Sequence, residues 1–298
     1  MYEHLSNPGA VRRILDQYDI RFRKRFGQNF LIREDVVENI VDGAGITQRD
    51  DVIEVGPGIG TLTQVLAEHA HSVTAVEIDR DLVKVLGETL RGYDNTEVIC
   101  QDILKTDLAG LVREKGEGRP VKVVANLPYY ITTPILMKLL ESDAGFESIT
   151  VMVQKEVAER ACAMPGTKAF GVLSLAVQYH AAPRIALQVP ASSFMPRPNV
   201  DSAVLDLKLY REAPVRTQDP DFLFRLIKAA FGQRRKTLVN AAGSVIPGLS
   251  KEAVGEALTA EGLPLQVRGE ALSLEEFARL SDRLCRIAAK NDRSSSEQ

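Results

Sequence analysis

Asn126-Leu127-Pro128-Tyr129 is the stretch of this chain whose residue types suggest the most specific chemistry. It follows an apolar run, 121–125, that reads as a strand. An exocyclic amine on adenine is planar, because its lone pair is delocalised into the ring, and so it is a poor nucleophile. Two hydrogen-bond acceptors aimed at its two hydrogens favour a pyramidal nitrogen with a localised lone pair. The Asn126 side-chain oxygen can be one acceptor and the Leu127 carbonyl the other. Pro128 stiffens that backbone, which favours a preorganised site. Tyr129 can stack on the base. The plain alternative is a strand-to-helix turn, where Asn and Pro are common. Against it, the tetrapeptide falls at the carboxyl end of a strand expected to be parallel, where open α/β sheets bind ligands.

A second constellation lies upstream. Glu54-Val-Gly56-Pro-Gly58-Ile-Gly60-Thr61 follows the strand-like run 51–56 and opens a helix. Glycines there let a ligand approach the backbone closely. The dinucleotide fingerprint is G-x-G-x-x-G, whereas this loop reads G-x-G-x-G with an acidic residue before it. Glu77 ends the next strand, 21 residues after Gly56, where a carboxylate can accept from both ribose hydroxyls. Asp102 follows the third strand and could accept from an adenine amine. The three features together resemble the S-adenosylmethionine site of Rossmann-like methyltransferases, which is favoured over an NAD site. A sulfonium donor already carries the driving force, so the proton of the amine can leave to water without a strong general base.

These residues need elements to hold them. Strand-like segments 51–56, 72–78, 96–100, 121–125 and 149–153 alternate with helical stretches near 80–90, 133–141, 154–162 and 170–181. Such alternation means βαβ units and a parallel sheet. In 203–209, Leu205, Leu207 and Leu209 alternate with Asp206 and Lys208, which suits a half-exposed antiparallel strand late in the sheet. Residues 211–218 read as a linker. Asp219 followed by Pro220 starts a helix expected to run to about Ala242. Ser250 can cap another helix, and Ser273 with Glu276 forms a capping box for a last one over 274–289. The tail NDRSSSEQ reads as disordered. The expected layout is an α/β domain over 1–210, opening with a basic segment, and a small helical domain over 211–298.

Composition limits the remaining classes. The 298 residues are 45% hydrophobic and 26% charged, ordinary for a soluble globular protein and too long for one core. No apolar run nears the roughly 20 residues that span a membrane, and no secretory leader is read. Cys100, Cys162 and Cys285 lie far apart, which fits a reducing cytoplasm. Histidines 4, 69, 71 and 180 offer no metal site. Residues 31–115 carry 8 Lys/Arg against 17 Asp/Glu, while 1–30 carry 6 against 3 and 116–298 carry 23 against 20. Such segregation suits either an acidic domain with ordinary edges or a polyanion-binding rim.

Six ordered segments sharpen this: FGQNFL at 26–31, EVGPGIGTLT at 54–63, VEID at 76–79, QDIL at 101–104, NLPYYI at 126–131 and FMPRPNVDSAV at 194–204. Together they resemble the KsgA family, the rRNA adenine N6,N6-dimethyltransferases, and most of all its bacterial small-subunit members, over about residues 18–290. The resemblance implies a Rossmann-like methyltransferase sheet with a small helical C-terminal domain. It implies dimethylation of two adjacent adenosines in the 3′-terminal hairpin of 16S rRNA, within the immature 30S subunit, by a monomer in the cytoplasm that uses S-adenosylmethionine and no metal or membrane. It assigns Gln28, Asn29, Leu31, Gly56, Glu77, Asp102 and Asn126 to the cofactor, with Glu54, Gly58, Gly60, Ile78 and Ile103 beside them. Phe194 is expected to stack on a flipped adenine opposite Tyr129; its plain alternative is a core aromatic before a proline turn. Two basic runs, Arg21, Arg23, Lys24 and Arg25, then Arg234, Arg235 and Lys236 in the second domain's first helix, match RNA-contacting regions, although such runs often form only a solvated face. Tyr130 departs from the Asn expected after NLPY in many members; it lies outside the acceptor pair. Competing readings are a 23S rRNA dimethylase of the macrolide-resistance type, a noncatalytic assembly or transcription factor on the same fold, and an NAD oxidoreductase.

Overall fold

The parallel strands are built from short apolar runs that can be buried on both faces. In a computed structural model, which describes residues 4–18, 29–116, 118–243 and 245–296 and side chains as far as 289, β2 (Asp51–Val55) and β5 (Val121–Asn126) are buried almost throughout. β3 (Ser72–Glu77) and β4 (Thr96–Cys100) pair parallel beside β2, and β6 (Ser148–Gln154) pairs parallel with β5. β9 (Ser202–Leu209) is antiparallel to β6 and to β7 (Ala181–Val189). The strand order is β4-β3-β2-β5-β6-β9-β7. The chain winds outward from β2 to β4 and then returns to place β5 on the other side of β2. The crevice between β2 and β5 is therefore the topological switch point of the sheet.

The alternation read in 203–209 holds: Leu205 and Leu207 are fully buried, whereas Asp206 meets Arg184 of β7 at 2.7 Å and Lys208 is exposed. The fold class is as expected, α/β with a helical C-terminal region. β1 (Phe30–Leu31) and β8 (Phe194–Met195) form a small second sheet, pairing Leu31 with Phe194. Helices α1 (Pro8–Gln17) and α2 (Glu34–Gly43) precede the large sheet. Helix α3 (Thr61–His69) begins directly at Gly60, and α4 (Arg80–Thr89) is capped by Asp79, whose side chain accepts from the Asp81 N–H. α5 (Leu108–Gly116) and α6 (Thr132–Leu140) connect the later parallel strands, and α7 (Lys155–Ala161) leads out of β6.

By packing, the chain divides into Met1–Ala158 with Ala181–Leu209, and Glu159–His180 with Tyr210–Gln298. A single boundary at 210 thus misses one excursion. Residues 159–180, which include α8 (Val172–His180), put Ala163, Phe170 and Leu175 into the same apolar cluster as Leu226, Phe277 and Leu284. The second unit also carries α9 (Pro220–Gly232), α10 (Leu238–Ala242), α11 (Lys251–Ala260) and α12 (Leu274–Ser296). Three caps expected from sequence are made: Asp219 accepts from the Phe222 N–H, Ser250 from the Ala253 N–H, and Ser273 and Glu276 bond reciprocally at 2.8 and 3.2 Å.

Two helix ends differ from expectation. α9 stops at Gly232 rather than continuing to Ala242, because Gln233 leaves helical backbone geometry at φ −129° and ψ 62°. Arg234, Arg235 and Lys236 therefore occupy a connecting turn, not the helix. α12 runs on to Ser296 instead of ending near 289, as no glycine or proline interrupts the sequence from 274 to 298.

Candidate active site

The pocket opens at the carboxyl ends of β2, β3, β4 and β5, at the switch point. Gly56 and Gly58 have φ of +67° and +63°, a region L side chains rarely adopt. A Cβ at Gly58 would lie 3.1 Å from the Phe30 ring, so only glycine brings this backbone so close to β1. Gly60 does not line the pocket. It stands behind the wall, where a Cβ would come within 3.2 Å of Leu86 and Leu90. Its smallness seats α3 against α4.

Two carboxylates sit at the strand ends as expected. Glu77 is 5% exposed; its Oε1 accepts from the Asp79 N–H at 2.8 Å and its Oε2 from the Gly58 N–H at 3.4 Å. Burial holds this carboxyl above its usual range, against backbone donors that favour the charged form. Asp102 accepts from the Leu104 N–H through Oδ1, and its Oδ2 lies 4.0 Å from the Lys105 ammonium. Ile78, half exposed, and Ile103, buried, give the wall between them an apolar surface.

Glu54 is the least ordinary group. It is 1% exposed, lines the pocket, and its Oε2 has no hydrogen-bond partner among the described residues. Burial pushes its carboxyl up to about 8, and the nearby Glu77 carboxylate adds to the shift. No Lys, Arg or His side chain lines the pocket among the described residues. Such a site suits a ligand with hydroxyls, an apolar heterocycle and positive charge. S-adenosylmethionine has all three, so the residues present fit it.

On the β5 side, the Asn126 Nδ2 donates to the Asn29 carbonyl at 3.2 Å. That bond fixes the amide so that Oδ1 is the free end, with no partner among the described residues. The Leu127 N–H donates to the Met152 carbonyl at 3.0 Å, holding the strand end in place. The Tyr129 hydroxyl is hydrogen-bonded to Ser202 Oγ, and burial keeps the phenol above its usual range. Tyr129 is thus an anchored neutral ring and not a base.

The other expected residues divide clearly. Asn29 and Leu31 line the pocket. Phe194 does not: it is 3% exposed, packed with Val37, Ile40 and Leu66, and its strand pairs with Leu31. Its ring is covered by that packing, as in the plain alternative of a core aromatic. Arg234, Arg235 and Lys236 are all exposed, and the Arg234 guanidinium donates to the Lys168 carbonyl at 2.9 Å and the Phe170 carbonyl at 3.3 Å. Gln28, Arg21, Arg23, Lys24 and Arg25 lie outside the described residues. Sequence reasoning missed Phe30, Leu82, Tyr130, Ile131 and Ile135 on the pocket wall. The four-residue spacing of Ile131 and Ile135 was a usable signal for one helix face; Tyr130, 54% exposed, showed none. Among the described residues no group of three or more His, Cys, Asp or Glu could hold a metal ion, and no helix is long and apolar enough to cross a membrane.

Comparison with known proteins agrees with this geometry. A family model described as ribosomal RNA adenine dimethylase matches residues 19–284. The ribosomal RNA small subunit methyltransferases A of Alkaliphilus metalliredigens and Lachnoclostridium phytofermentans are each 52% identical, covering 94% of this chain and 97% of their own. Among solved structures, a dimethyladenosine transferase from Plasmodium falciparum superposes with a TM-score of 0.70 at 25% identity, covering 84% of this chain and 95% of that one. The 23S rRNA methyltransferase ErmE gives 0.66 at 27% identity, over 86% of this chain and all of that one.

Proposed function

The chain belongs to the ribosomal RNA adenine dimethylase family, and from that premise we propose that it dimethylates adenine N6 in 16S rRNA with S-adenosylmethionine as donor. The observation that carries the reading is the meeting of two half-sites at one switch point: the glycine loop with Glu77 and Asp102, and the acceptor pair at Asn126 and Leu127. When bound, S-adenosylmethionine supplies an electrophilic methyl group on sulfur. Glu77 holds the ribose hydroxyls, Asp102 the adenine amine, and Ile78 and Ile103 the faces of the ring. Asn126 Oδ1 and the Leu127 carbonyl accept from the two hydrogens of the target amine and draw its lone pair out of the ring. Tyr129 recovers stacking lost when the base leaves its helix. The amine proton leaves to water.

The same reading extends to the finer substrate: two adjacent adenosines of the 3′-terminal hairpin, in the immature 30S subunit, modified by a cytoplasmic monomer. Arg235 and Lys236, with the basic run at 21–25, supply phosphate contacts, which position the RNA without reading its sequence. The six ordered sequence motifs support this, as do the small-subunit names of the 52% identical relatives. The test is incubation with radiolabelled S-adenosylmethionine and undermethylated 30S particles, followed by nucleoside mapping, with 23S rRNA in parallel. Label in N6,N6-dimethyladenosine of the 16S hairpin is expected. Label confined to 23S rRNA, or none, would overturn the reading.

A further inference from the structure

Resting on the reading of the chain as an rRNA adenine methyltransferase, we infer that Tyr130 is a stacking platform for the nucleotide next to the flipped adenine, so that the pocket mouth grips the RNA one base beyond the base it methylates. Three aromatic rings line the pocket, those of Phe30, Tyr129 and Tyr130. Phe30 is 6% exposed and packs in an apolar cluster with Val11 and Leu82. Tyr129 is half-buried, with its hydroxyl bonded to Ser202. Tyr130 is 54% exposed, and among the described residues of the sheet unit it is the only exposed Phe or Tyr. A single exposed ring is ordinary on a protein surface; what sets this one apart is its place. It stands three residues after Leu127, whose carbonyl is one of the two proposed acceptors.

The backbone under the ring is fixed on both sides. The Leu127 N–H donates to the Met152 carbonyl at 3.0 Å, and the Pro128 carbonyl accepts from the Ile131 N–H at 3.2 Å and the Thr132 hydroxyl at 2.9 Å. The short turn Tyr129–Ile131 thus keeps Tyr129 and Ile131 partly buried and leaves Tyr130 outermost. A ring on so firm a mount gives up little freedom when a base covers it. An adenine that leaves its stack uncovers a face of each neighbouring base. Any base has such a face, so a ring can cover it without reading sequence. No Lys, Arg or His lines the pocket among the described residues, so its wall offers the strand stacking and not charge. Where the two target adenosines are adjacent, the neighbour held on Tyr130 is the other target.

The test is single-turnover methylation of undermethylated 30S particles at saturating S-adenosylmethionine, with the particle concentration varied. Tyr130→Ala is expected to raise the half-saturating particle concentration by about five- to 150-fold, the worth of one base stacked on an aromatic ring. The rate at saturation should fall far less. Tyr130→Phe, which keeps the ring, should recover most of the loss. The decisive arm uses particles with an abasic site beside the target adenosine, on one side and then on the other. On one side, removing the base should cost the wild type a comparable factor and cost Tyr130→Ala nothing more. Abasic losses of equal size in both proteins overturn the inference, as does an unchanged half-saturating concentration in Tyr130→Ala. So does a Tyr130→Phe protein as impaired as Tyr130→Ala, since the hydroxyl and not the ring face would then make the contact. Weaker S-adenosylmethionine binding or a lower melting temperature in Tyr130→Ala marks a structural role and overturns it too. If the wild type labels no particle, the RNA reading itself fails; if it labels them and Tyr130→Ala matches it, only this inference falls.

Discussion

Asn126 shows how one side chain can be oriented by its own backbone neighbourhood before any ligand arrives. The bond from Nδ2 to the Asn29 carbonyl uses the donor end of the amide and leaves the acceptor end for the proposed contact with the substrate amine. Asn126→Ala removes that acceptor while Tyr129 stays anchored to Ser202. The acceptor matters most as the nitrogen pyramidalises, so the rate should suffer more than RNA affinity. By analogy with the loss of one oxyanion-hole donor, single-turnover methylation should slow by about 10²–10³. Because the same amide ties down the segment that carries Asn29, cofactor affinity has to be measured alongside. A variant that binds both substrates and methylates at the wild-type rate would eliminate the mechanism. Glu77 is a separate case. Its carboxylate also accepts from Gly58 and Asp79, so Glu77→Ala removes the proposed ribose acceptor and unties the loop at once. Losing a hydrogen bond to a charged group costs about 1.5–3 kcal/mol, or roughly ten- to a hundredfold in affinity. Unchanged calorimetric affinity in the folded variant would remove Glu77 from the cofactor site.

At the scale of elements, what could be read from the sequence was what depends on neighbours in the chain. Asp219, Ser250 and the Ser273–Glu276 box are local signals, and all three caps form. The parallel strands announce themselves because burial on both faces demands unbroken apolar runs. β7 did not, since it is an edge strand with Pro183 inside it and alternating exposure. The burial of Phe194 was one of the two readings open in the sequence, but its partner was hidden: nothing in FMPRP says that it would be Leu31, 163 residues away. The basic turn after α9 is the most useful lesson. Three adjacent cations look equivalent in sequence and all three are exposed, yet Arg234 also donates to the Lys168 and Phe170 carbonyls. Neutralising Arg235 and Lys236 together should lower RNA affinity and reduce the log–log salt slope by about 0.7–0.9 for each phosphate no longer neutralised. Thermal stability should stay at the wild-type value. Arg234→Ala should instead lower thermal stability, because two carbonyls lose their donor. If the double variant keeps the wild-type slope, the turn is only a solvated face.

At the scale of the whole molecule, each unit has an apolar core of its own, and the candidate site is confined to one of them. Every residue on the pocket wall comes from the unit built on the large sheet. The second unit closes around Phe277, fully buried, whose ring centroid lies 6.3 Å from that of Phe231. Its core also recruits Phe170 and Leu175 from the 159–180 excursion, so it is completed only when both stretches of chain are in place. Two cores with separate contents can have separate stabilities. Phe277→Ala should cost the second unit about 3–5 kcal/mol, a drop on the order of 10 °C or more for a unit of this size. A calorimetric scan should then show two transitions. Only the higher one, from the sheet unit, should move up when S-adenosylmethionine is added, since a ligand stabilises the part that binds it. Below the first transition the variant should bind S-adenosylmethionine as the wild type does, and above it RNA association should fall, because the turn carrying Arg235 and Lys236 is lost. A single transition that shifts as one with cofactor would mean that the two cores unfold together, and chemistry and RNA positioning would then share one cooperative unit instead of two.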